Sequence, residues 1–198
     1  VFLALAIGAA RAGTVFVDDA GRQVTLPSET TRVLAAGPPA SILLYVLAPQ
    51  KMGGWVREPS AAEKEFLAAP YRDLPAHGRL TGRGGSANIE MVVALKPDLI
   101  IDVGSVDATY ASFADRVQEQ TGIPYVLIDG TFAQTPQTLR KVAGLLGVTP
   151  RGEELAAFAE RQMGLAGEVL AAVPPGERPS VYYGRGPDGL ETGLAGSI

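Results

Sequence analysis

The sequence predicts an α/β protein in which helices cover both faces of a parallel sheet. Short apolar runs at 99–101 and 125–128 alternate with helical patterns at 108–121 and 135–146, which is typical of βα units. Apolar side chains then recur every three or four positions over 150–172, which predicts one long helix. We therefore expect a Rossmann-like N-terminal lobe over 13–149, a linking helix over 150–173, and the beginning of a second α/β lobe over 178–198.

The N-terminal lobe can be divided into elements in chain order. Asp18-Asp19-Ala20-Gly21 lies between two β-prone runs, which predicts a hairpin over 15–26. The remaining elements predicted before the first long apolar strand are a buried strand at 32–36, a helix beginning at Pro38, a short strand at 52–56, a helix at 60–69 capped by Ser60, a loop at 70–87 and a helix at 89–95 capped by Asn88.

The long helical pattern has two interpretations. Twenty-three residues at about 1.5 Å each span roughly 34 Å, enough to cross a small domain. Pro174-Pro175-Gly176 ends the pattern, and 180–183 predicts a new strand. This order indicates a rigid link between two lobes. An ordinary surface helix of a single domain would give the same periodicity.

Both ends of the sequence carry information about processing and extent. Residues 1–10 are apolar but too few to span a bilayer, which needs about 20, and Ala10-Arg11-Ala12 is typical of a cleavage site. We interpret 1–12 as a residual signal peptide of an exported, periplasmic protein; a buried first helix or strand is the alternative. Residues 190–198 follow the last predicted strand without a closing element. We therefore expect a chain truncated at both ends.

Composition excludes several function classes. Seventeen Lys and Arg residues against 21 Asp and Glu residues give a formal net charge of −4 without a basic cluster, which argues against a nucleic-acid partner. The absence of Cys and the single His77 exclude cysteine-based zinc sites and cysteine nucleophiles. His77 alone predicts a structural or solvent-facing residue. We expect no catalytic residues, no metal site and no cofactor.

Two glycine patterns resemble nucleotide-binding motifs. Residues 184–189 match G-x-G-x-x-G, and 82–87 match its looser form. The dinucleotide motif needs its last glycine in the first turn of a helix, whereas Pro187-Asp188-Gly189 is typical of a turn. Two acidic pairs are present: Asp18 and Asp19 lie in a predicted turn, and Asp98 and Asp102 lie on either side of a predicted strand. Neither position indicates general acid–base catalysis. Neither a P-loop nor a nucleophile elbow occurs.

The candidate binding residues are cationic and aromatic side chains in predicted loops or at the ends of predicted strands. Arginine forms charge-assisted hydrogen bonds with anions, and aromatic rings pack against flat groups. The set therefore suits an anionic, partly flat ligand, although solvated surface arginines are the plain alternative. The candidates are Trp55, Arg57, Arg83, Tyr182, Tyr183 and Arg185.

Several segments together resemble a known family. They are 17–27 (VDDAGRQVTLP), 32–34 (RVL), 88–90 (NIE) and 94–101 (ALKPDLII). The chain from about residue 15 resembles the periplasmic substrate-binding proteins of ABC importers for ferric siderophores, haem and cobalamin. The resemblance implies two lobes joined by one long helix, a ligand in the cleft between them, and delivery to a membrane permease. It also implies that Glu90 docks the N-terminal lobe on that permease.

We therefore expect a non-enzymatic, monomeric solute-binding protein that takes an anionic metal chelate, an iron complex first. An oxyanion such as molybdate would fit the same arginines. Two other classes stay open: a nucleotide-dependent or chelatase-like enzyme, and a surface scaffold module without a small ligand.

Overall fold

The computed structural model describes residues 13–81 and 89–192. Its centre is a three-stranded parallel sheet with the strand order β3-β4-β5. These strands are β3 (Val33–Ala35), β4 (Leu99–Gly104) and β5 (Tyr125–Asp129). Almost every residue of the three strands is buried, as expected for a parallel sheet covered on both faces. The predicted α/β class is confirmed.

Alternate strand residues build two hydrophobic cores, one on each face of the sheet. Ile101, Val126 and Ile128 belong to the core under α1 (Pro38–Leu47) and α5 (Thr135–Leu145). Ile100 and Leu127 belong to the opposite core, under α3 (Ile89–Ala94) and α4 (Ala108–Thr121). The helix ends follow the sequence: Pro38 begins α1, Asp107 caps α4 through its side chain, and Gly122 ends α4 in a left-handed conformation.

The predicted hairpin is formed by β1 (Val15–Val17) and β2 (Gln23–Thr25), which pair antiparallel. The carboxylate of Asp18 connects the turn of this hairpin to the sheet through hydrogen bonds. This carboxylate accepts hydrogen bonds from the backbone N–H of Leu127 (3.1 Å) and from the Arg22 guanidinium (2.9 Å). The side chain of Asp18 is fully buried, so the first acidic residue of this turn has a structural role.

The long helix is confirmed as α6 (Thr149–Ala172). Its first turns pack on α5, where Gly152 allows close approach: a Cβ on Gly152 would lie 2.2 Å from the Cβ of Ala143. Arg140 of α5 also pairs with Glu153 and Glu160 of α6. Farther along, large apolar side chains of α6 are exposed, namely Phe158, Leu165, Val169 and Leu170. Its role as a link between lobes stays a prediction.

Three predicted elements differ in the structure. Residues 52–56 form no strand; Met52 bridges Val33 and Trp55 bridges Ala76. Gly54 explains the break, because it has a φ of +157° and approaches Pro75 so closely that a Cβ would meet the Pro75 carbonyl oxygen at 2.4 Å.

The helix predicted at 60–69 is only α2 (Ala61–Lys64). It stops because the next N–H groups bond elsewhere: Phe66 donates to the carbonyl of Glu63, three residues back, and Ala68 donates to the hydroxyl of Tyr45.

The strand predicted at 180–183 is also wrong in the described part of the chain. Tyr182 and Tyr183 are exposed, and 180–184 carry no strand pairing there. Only a bridge between Arg185 and Glu191 follows. A strand needs a partner for its backbone groups.

Some expectations fall outside the described residues: the signal peptide at 1–12, the loop residue Arg83, the cap Asn88 and the last residues from 193 onward. None of the described helices has the length and hydropathy required to span a membrane.

Candidate functional site

A cavity of about 300 Å³ lies between the first turns of α1 and the segment from Trp55 to Leu67. It lies beside the end of β3 from which the chain enters α1, and open α/β sheets bind ligands at this carboxyl end of their strands. Most of its lining is apolar: Pro38, Ile42, Trp55, Val56, Pro59, Phe66 and Leu67. Three polar side chains complete it: Ser41, Arg57 and Glu63.

The α1 side of the cavity follows from helical spacing. Pro38, Ser41 and Ile42 lie at positions i, i+3 and i+4, which share one face of a helix. Ile42 is exposed at the rim, whereas Ser41 is only 2% exposed. The Ser41 hydroxyl has no hydrogen-bond partner among the described residues. A buried hydroxyl without a partner is costly, and because the wall encloses this oxygen it is not accessible from the cavity.

Trp55 forms the inner wall of the cavity and is held rigidly. Its indole Nε1 donates to the carbonyl of Tyr71 at 2.8 Å, and its backbone exchanges hydrogen bonds with Pro75 and His77. Its ring centroid lies 5.5 Å from that of Tyr45. The side chain is 5% exposed. Trp55 therefore presents a fixed apolar surface, with its single N–H already bonded elsewhere.

Arg57 lies at the rim of the cavity and already has an anionic partner. Its Nη1 donates to Oε2 of Glu63 at 2.8 Å, and its Nη2 donates to Oε1 of the same carboxylate. This two-bond arrangement matches the planar guanidinium to the carboxylate. The charge of Arg57 is therefore balanced at the rim.

Glu63 is fixed in turn by the start of α2. Its carboxylate accepts from the backbone N–H of Ser60 at 2.7 Å, while the Ser60 hydroxyl accepts from the N–H of Glu63 at 3.3 Å. This is a capping box, which satisfies two N–H groups at a helix start. The hydrogen bonds from Arg57 and then Ser60 lower the pKa of Glu63 to about 2. Hydrogen bonding with Glu63 raises the pKa of Arg57, so both groups are charged at neutral pH.

Behind the site, Asp102 of β4 supports the segment that follows residue 77. It is 5% exposed and accepts hydrogen bonds from the hydroxyls of Tyr125 (3.1 Å) and Thr81 (3.2 Å). Burial raises the pKa of Asp102 against the opposing effect of these two hydrogen bonds. Thr81 Oγ1 also lies 3.1 Å from where a Cβ of Gly37 would be. Asp102 thus holds Thr81, in the loop before residue 82, close to Gly37 at the start of α1.

His77 is a buried structural residue. It is 2% exposed, and neither ring nitrogen has a hydrogen-bond partner among the described residues. Burial lowers the pKa of His77, with a smaller opposing effect from the backbone of Gly78 and Gly54. The described residues contain no group of three or more His, Asp or Glu side chains that could hold a metal ion.

The structure brings together only part of the predicted site. Trp55 and Arg57 line the same cavity, whereas Tyr182, Tyr183 and Arg185 are exposed beyond α6 and do not line it. The hydroxyl of Tyr182 donates to the carbonyl of Gly189 at 3.2 Å. Arg83 lies outside the described residues.

Glu90 is exposed in the first turn of α3, as a docking residue would require.

Only Trp55 and Arg57 of the ten lining residues were predicted as site residues, and those that were missed include Ser41, Glu63 and Phe66. The capping role of Glu63 could have been predicted, since Ser60-x-x-Glu63 matches the capping-box pattern. The ion pair between Glu63 and Arg57 could not be predicted from the sequence, because Arg57 lies before the helix and no helical spacing relates the two residues. Ser41 could have been placed by its spacing from Pro38, but its missing hydrogen-bond partner is visible only in three dimensions.

Comparison with known proteins identifies the family. The sequence pattern described as periplasmic binding protein matches residues 53–194. This match covers more than half of the chain, and the chain therefore belongs to the periplasmic binding protein family. The resemblance found in the sequence is confirmed, and so is the expectation of a binding protein rather than an enzyme. A search of curated protein sequences finds no match.

Solved structures agree with this fold. A solute-binding protein of an ABC transporter from Sulfurospirillum deleyianum matches with a TM-score of 0.75 and 25% identity, over 87% of this chain and 54% of that one. The molybdate-binding protein MolA of Haemophilus influenzae matches with a TM-score of 0.60 and 21% identity, over 83% and 56%. The heme-binding protein HmuT matches with a TM-score of 0.55 and 19% identity, over 85% and 52%. The chain thus spans little more than half the length of these relatives.

Proposed function

We propose that this chain is part of an extracytoplasmic solute-binding protein that captures an anionic metal chelate, an iron complex first, and delivers it to an ABC permease. The observation that carries the proposal is the cavity walled by Trp55, at the carboxyl end of the sheet, in a member of a solute-binding family. An apolar cavity with few polar groups is the usual form of a small-molecule site.

The organic part of a chelate suits this cavity. Iron chelates surround the metal with organic groups, which present carbon surface outward. The fixed ring of Trp55 and the neighbouring Ile42, Val56 and Phe66 offer matching apolar surface. One solved relative is named as a heme-binding protein, which supports a metal–organic ligand for this fold.

The remaining expectations about the site are part of the proposal. Arg83, Tyr182, Tyr183 and Arg185 would contact the anionic groups of the chelate. Glu90, exposed on α3, would pair with a cationic group of the permease. Residues 150–173 would link the N-terminal lobe to the second lobe, so that the ligand lies between them, and the protein would act as a monomer in the periplasm.

A small oxyanion is the second candidate ligand, because one solved relative is named for molybdate. Thermal-shift screening of the intact protein tests both candidates. The proposal predicts a higher unfolding temperature with a ferric siderophore, haem or cobalamin, since a ligand that binds only the folded state stabilises it. Stabilisation by molybdate alone would favour the oxyanion. Stabilisation by none of them would favour a scaffold module, and uptake of ATP or NAD(P) would favour an enzyme.

A further inference from the structure

Tyr45 lies on the same face of α1 as the residues that line the cavity. Pro38, Ser41 and Ile42 form the α1 wall, and Tyr45 follows Ile42 by three positions and Ser41 by four, so it continues the same helical stripe. Its side chain does not line the cavity itself. It reaches instead to the segment that forms the opposite wall. Tyr45 is therefore placed to join the two walls.

The hydroxyl of Tyr45 fixes the chain directly after the lining residues Phe66 and Leu67. The backbone N–H of Ala68 donates to this hydroxyl at 2.8 Å. If α2 continued, that N–H would bond to the carbonyl of Lys64, four residues back. Because the hydrogen bond is made to Tyr45, the chain leaves the helix here, with Phe66 and Leu67 facing the cavity.

The ring of Tyr45 supports Trp55, the inner wall of the cavity. The two ring centroids lie 5.5 Å apart, and the Tyr45 ring also meets that of Tyr71 edge-on at 6.3 Å. The carbonyl of Tyr71 accepts the indole N–H of Trp55, and the N–H of Tyr71 donates to the carbonyl of Ala68 at 2.9 Å. Tyr45, Ala68, Tyr71 and Trp55 thus form a closed set in which each residue contacts the next.

We infer that Tyr45 is the positioning residue of the cavity. Its hydroxyl sets the place of Phe66 and Leu67, its ring sets the place of Trp55, and an apolar group of the ligand meets walls that are already formed. Binding to a preformed wall avoids the entropy cost of ordering side chains and loops, so the affinity is higher. This inference rests on the proposed function, since it assigns a role within the site proposed for the chelate.

Toluene, an uncharged apolar ring, tests the inference by ¹H–¹⁵N NMR on the isotopically labelled intact protein. The indole N–H signal of Trp55, assigned with Trp55→Phe, reports occupancy of the cavity and gives the Kd. Tyr45→Phe keeps the ring but removes the acceptor of the Ala68 N–H. We expect toluene to bind this variant about three- to tenfold more weakly, because binding must then order the wall at a cost similar to the lost hydrogen bond.

Two controls separate positioning from stability. Tyr110→Phe is the same substitution on α4, where Tyr110 packs against the core on the opposite face of the sheet. Gly152→Ala lowers stability at the contact of α5 with α6, because its new Cβ would lie 2.2 Å from the Cβ of Ala143. We expect both controls to bind toluene as the wild type does. A residue that only stabilised the fold would behave like Gly152→Ala and leave the Kd unchanged.

Hydrogen exchange gives a measurement that needs no variant. The amide of Ala68 lies outside the described helices, yet we expect it to exchange slowly in the wild type, because it is hydrogen-bonded to Tyr45. In Tyr45→Phe it should exchange about tenfold faster. Fast exchange of this amide in the wild type would contradict the inference even if Tyr45→Phe failed to fold.

The inference is overturned if toluene leaves the Trp55 signal unmoved, if Tyr45→Phe binds toluene as tightly as the wild type, or if Gly152→Ala weakens binding equally. The thermal-shift screen with whole chelates reports on the proposed function separately. Chelate binding with toluene affinity independent of Tyr45 would reject this inference alone. Toluene affinity that depends on Tyr45, without stabilisation by any chelate, would reject the proposed function alone.

Discussion

The carboxylate of Glu63 and the guanidinium of Arg57 form a two-bond ion pair at the rim of the cavity, with Oε2 2.8 Å from Nη1. From the sequence alone, Arg57 is predicted to be a cation that binds an anionic ligand. In the folded chain its charge is already balanced by a residue six positions away. The apolar wall around Trp55 therefore defines the cavity more than its arginine does.

Packing between α5 and α6 should tolerate no side chain at position 152. In Gly152→Ala, the new Cβ would lie 2.2 Å from the Cβ of Ala143, so the two helices must separate. We expect a loss of about 1–3 kcal/mol in the free energy of unfolding, measured by urea denaturation.

Gly164→Ala is the matched control on the same helix, since a Cβ there meets nothing within 4 Å. It should raise the free energy of unfolding by about 0.5–1 kcal/mol, because alanine favours helix more than glycine does. Equal effects of the two substitutions would show that α6 does not pack on α5 as described.

The buried carboxylate of Asp18 should be essential for attaching the hairpin to the sheet. Asp18→Ala leaves the Arg22 guanidinium and the N–H of Leu127 without this acceptor. Breaking a buried ion pair in this way costs about 3–5 kcal/mol, which denaturant unfolding would detect.

Asp115→Ala provides the comparison, because Asp115 bonds to the same guanidinium but is 57% exposed. It should cost less than about 1 kcal/mol. A similar small loss for Asp18→Ala would contradict the structural role given to this turn.

His77 should make stability depend on pH. Burial lowers the pKa of His77 below its unfolded value of 6.5. Below pH 6.5, His77 is therefore protonated in the unfolded chain while it stays neutral in the folded chain. The free energy of unfolding should therefore fall as pH decreases from 7.5, by at most about 1.4 kcal/mol per pH unit from this group. Thermal unfolding at several pH values measures it.

His77→Phe should remove this contribution and flatten the profile between pH 6.5 and 5. The difference between variant and wild type is the correct quantity, since Asp102 has a raised pKa and titrates with the opposite sign. Identical profiles for the two proteins would mean that His77 titrates normally in the folded state.

Glu90 should matter for transport and not for ligand affinity. Glu90→Ala removes an exposed carboxylate on α3, away from the residues that line the cavity. We expect unchanged chelate affinity in the purified intact protein and reduced uptake in cells. Glu119→Ala, an exposed carboxylate on α4, is the control and should leave uptake normal. Normal uptake with Glu90→Ala would remove this residue from the docking surface.

Most of the fold could be predicted because its signals are local. The apolar runs of β4 and β5, the proline that begins α1 and the periodicity of α6 each specify an element without knowledge of its neighbours. The failures occur where a tertiary contact decides. Ala68 bonds to the Tyr45 hydroxyl and not to its own helix, and 52–56 turn away from β3 at Gly54.

The site was predictable only by residue type. Trp55 and Arg57 do line one cavity, but the partner of Arg57 and the unsatisfied hydroxyl of Ser41 depend on distances between segments that are separate in the sequence. Tyr182 and Tyr183 were grouped with Trp55 by chemistry alone, and the structure does not bring them to the cavity.

NMR of the isotopically labelled intact protein, titrated with the diamagnetic gallium(III) form of a chelate that stabilises it, tests the central claim most directly. If the cavity receives the ligand, the indole N–H signal of Trp55 and the methyl signals of Ile42 and Val56 will shift in proportion to occupancy, with Trp55→Phe used for assignment. Binding at full occupancy by calorimetry, with these three signals unmoved, would place the ligand elsewhere and contradict the account.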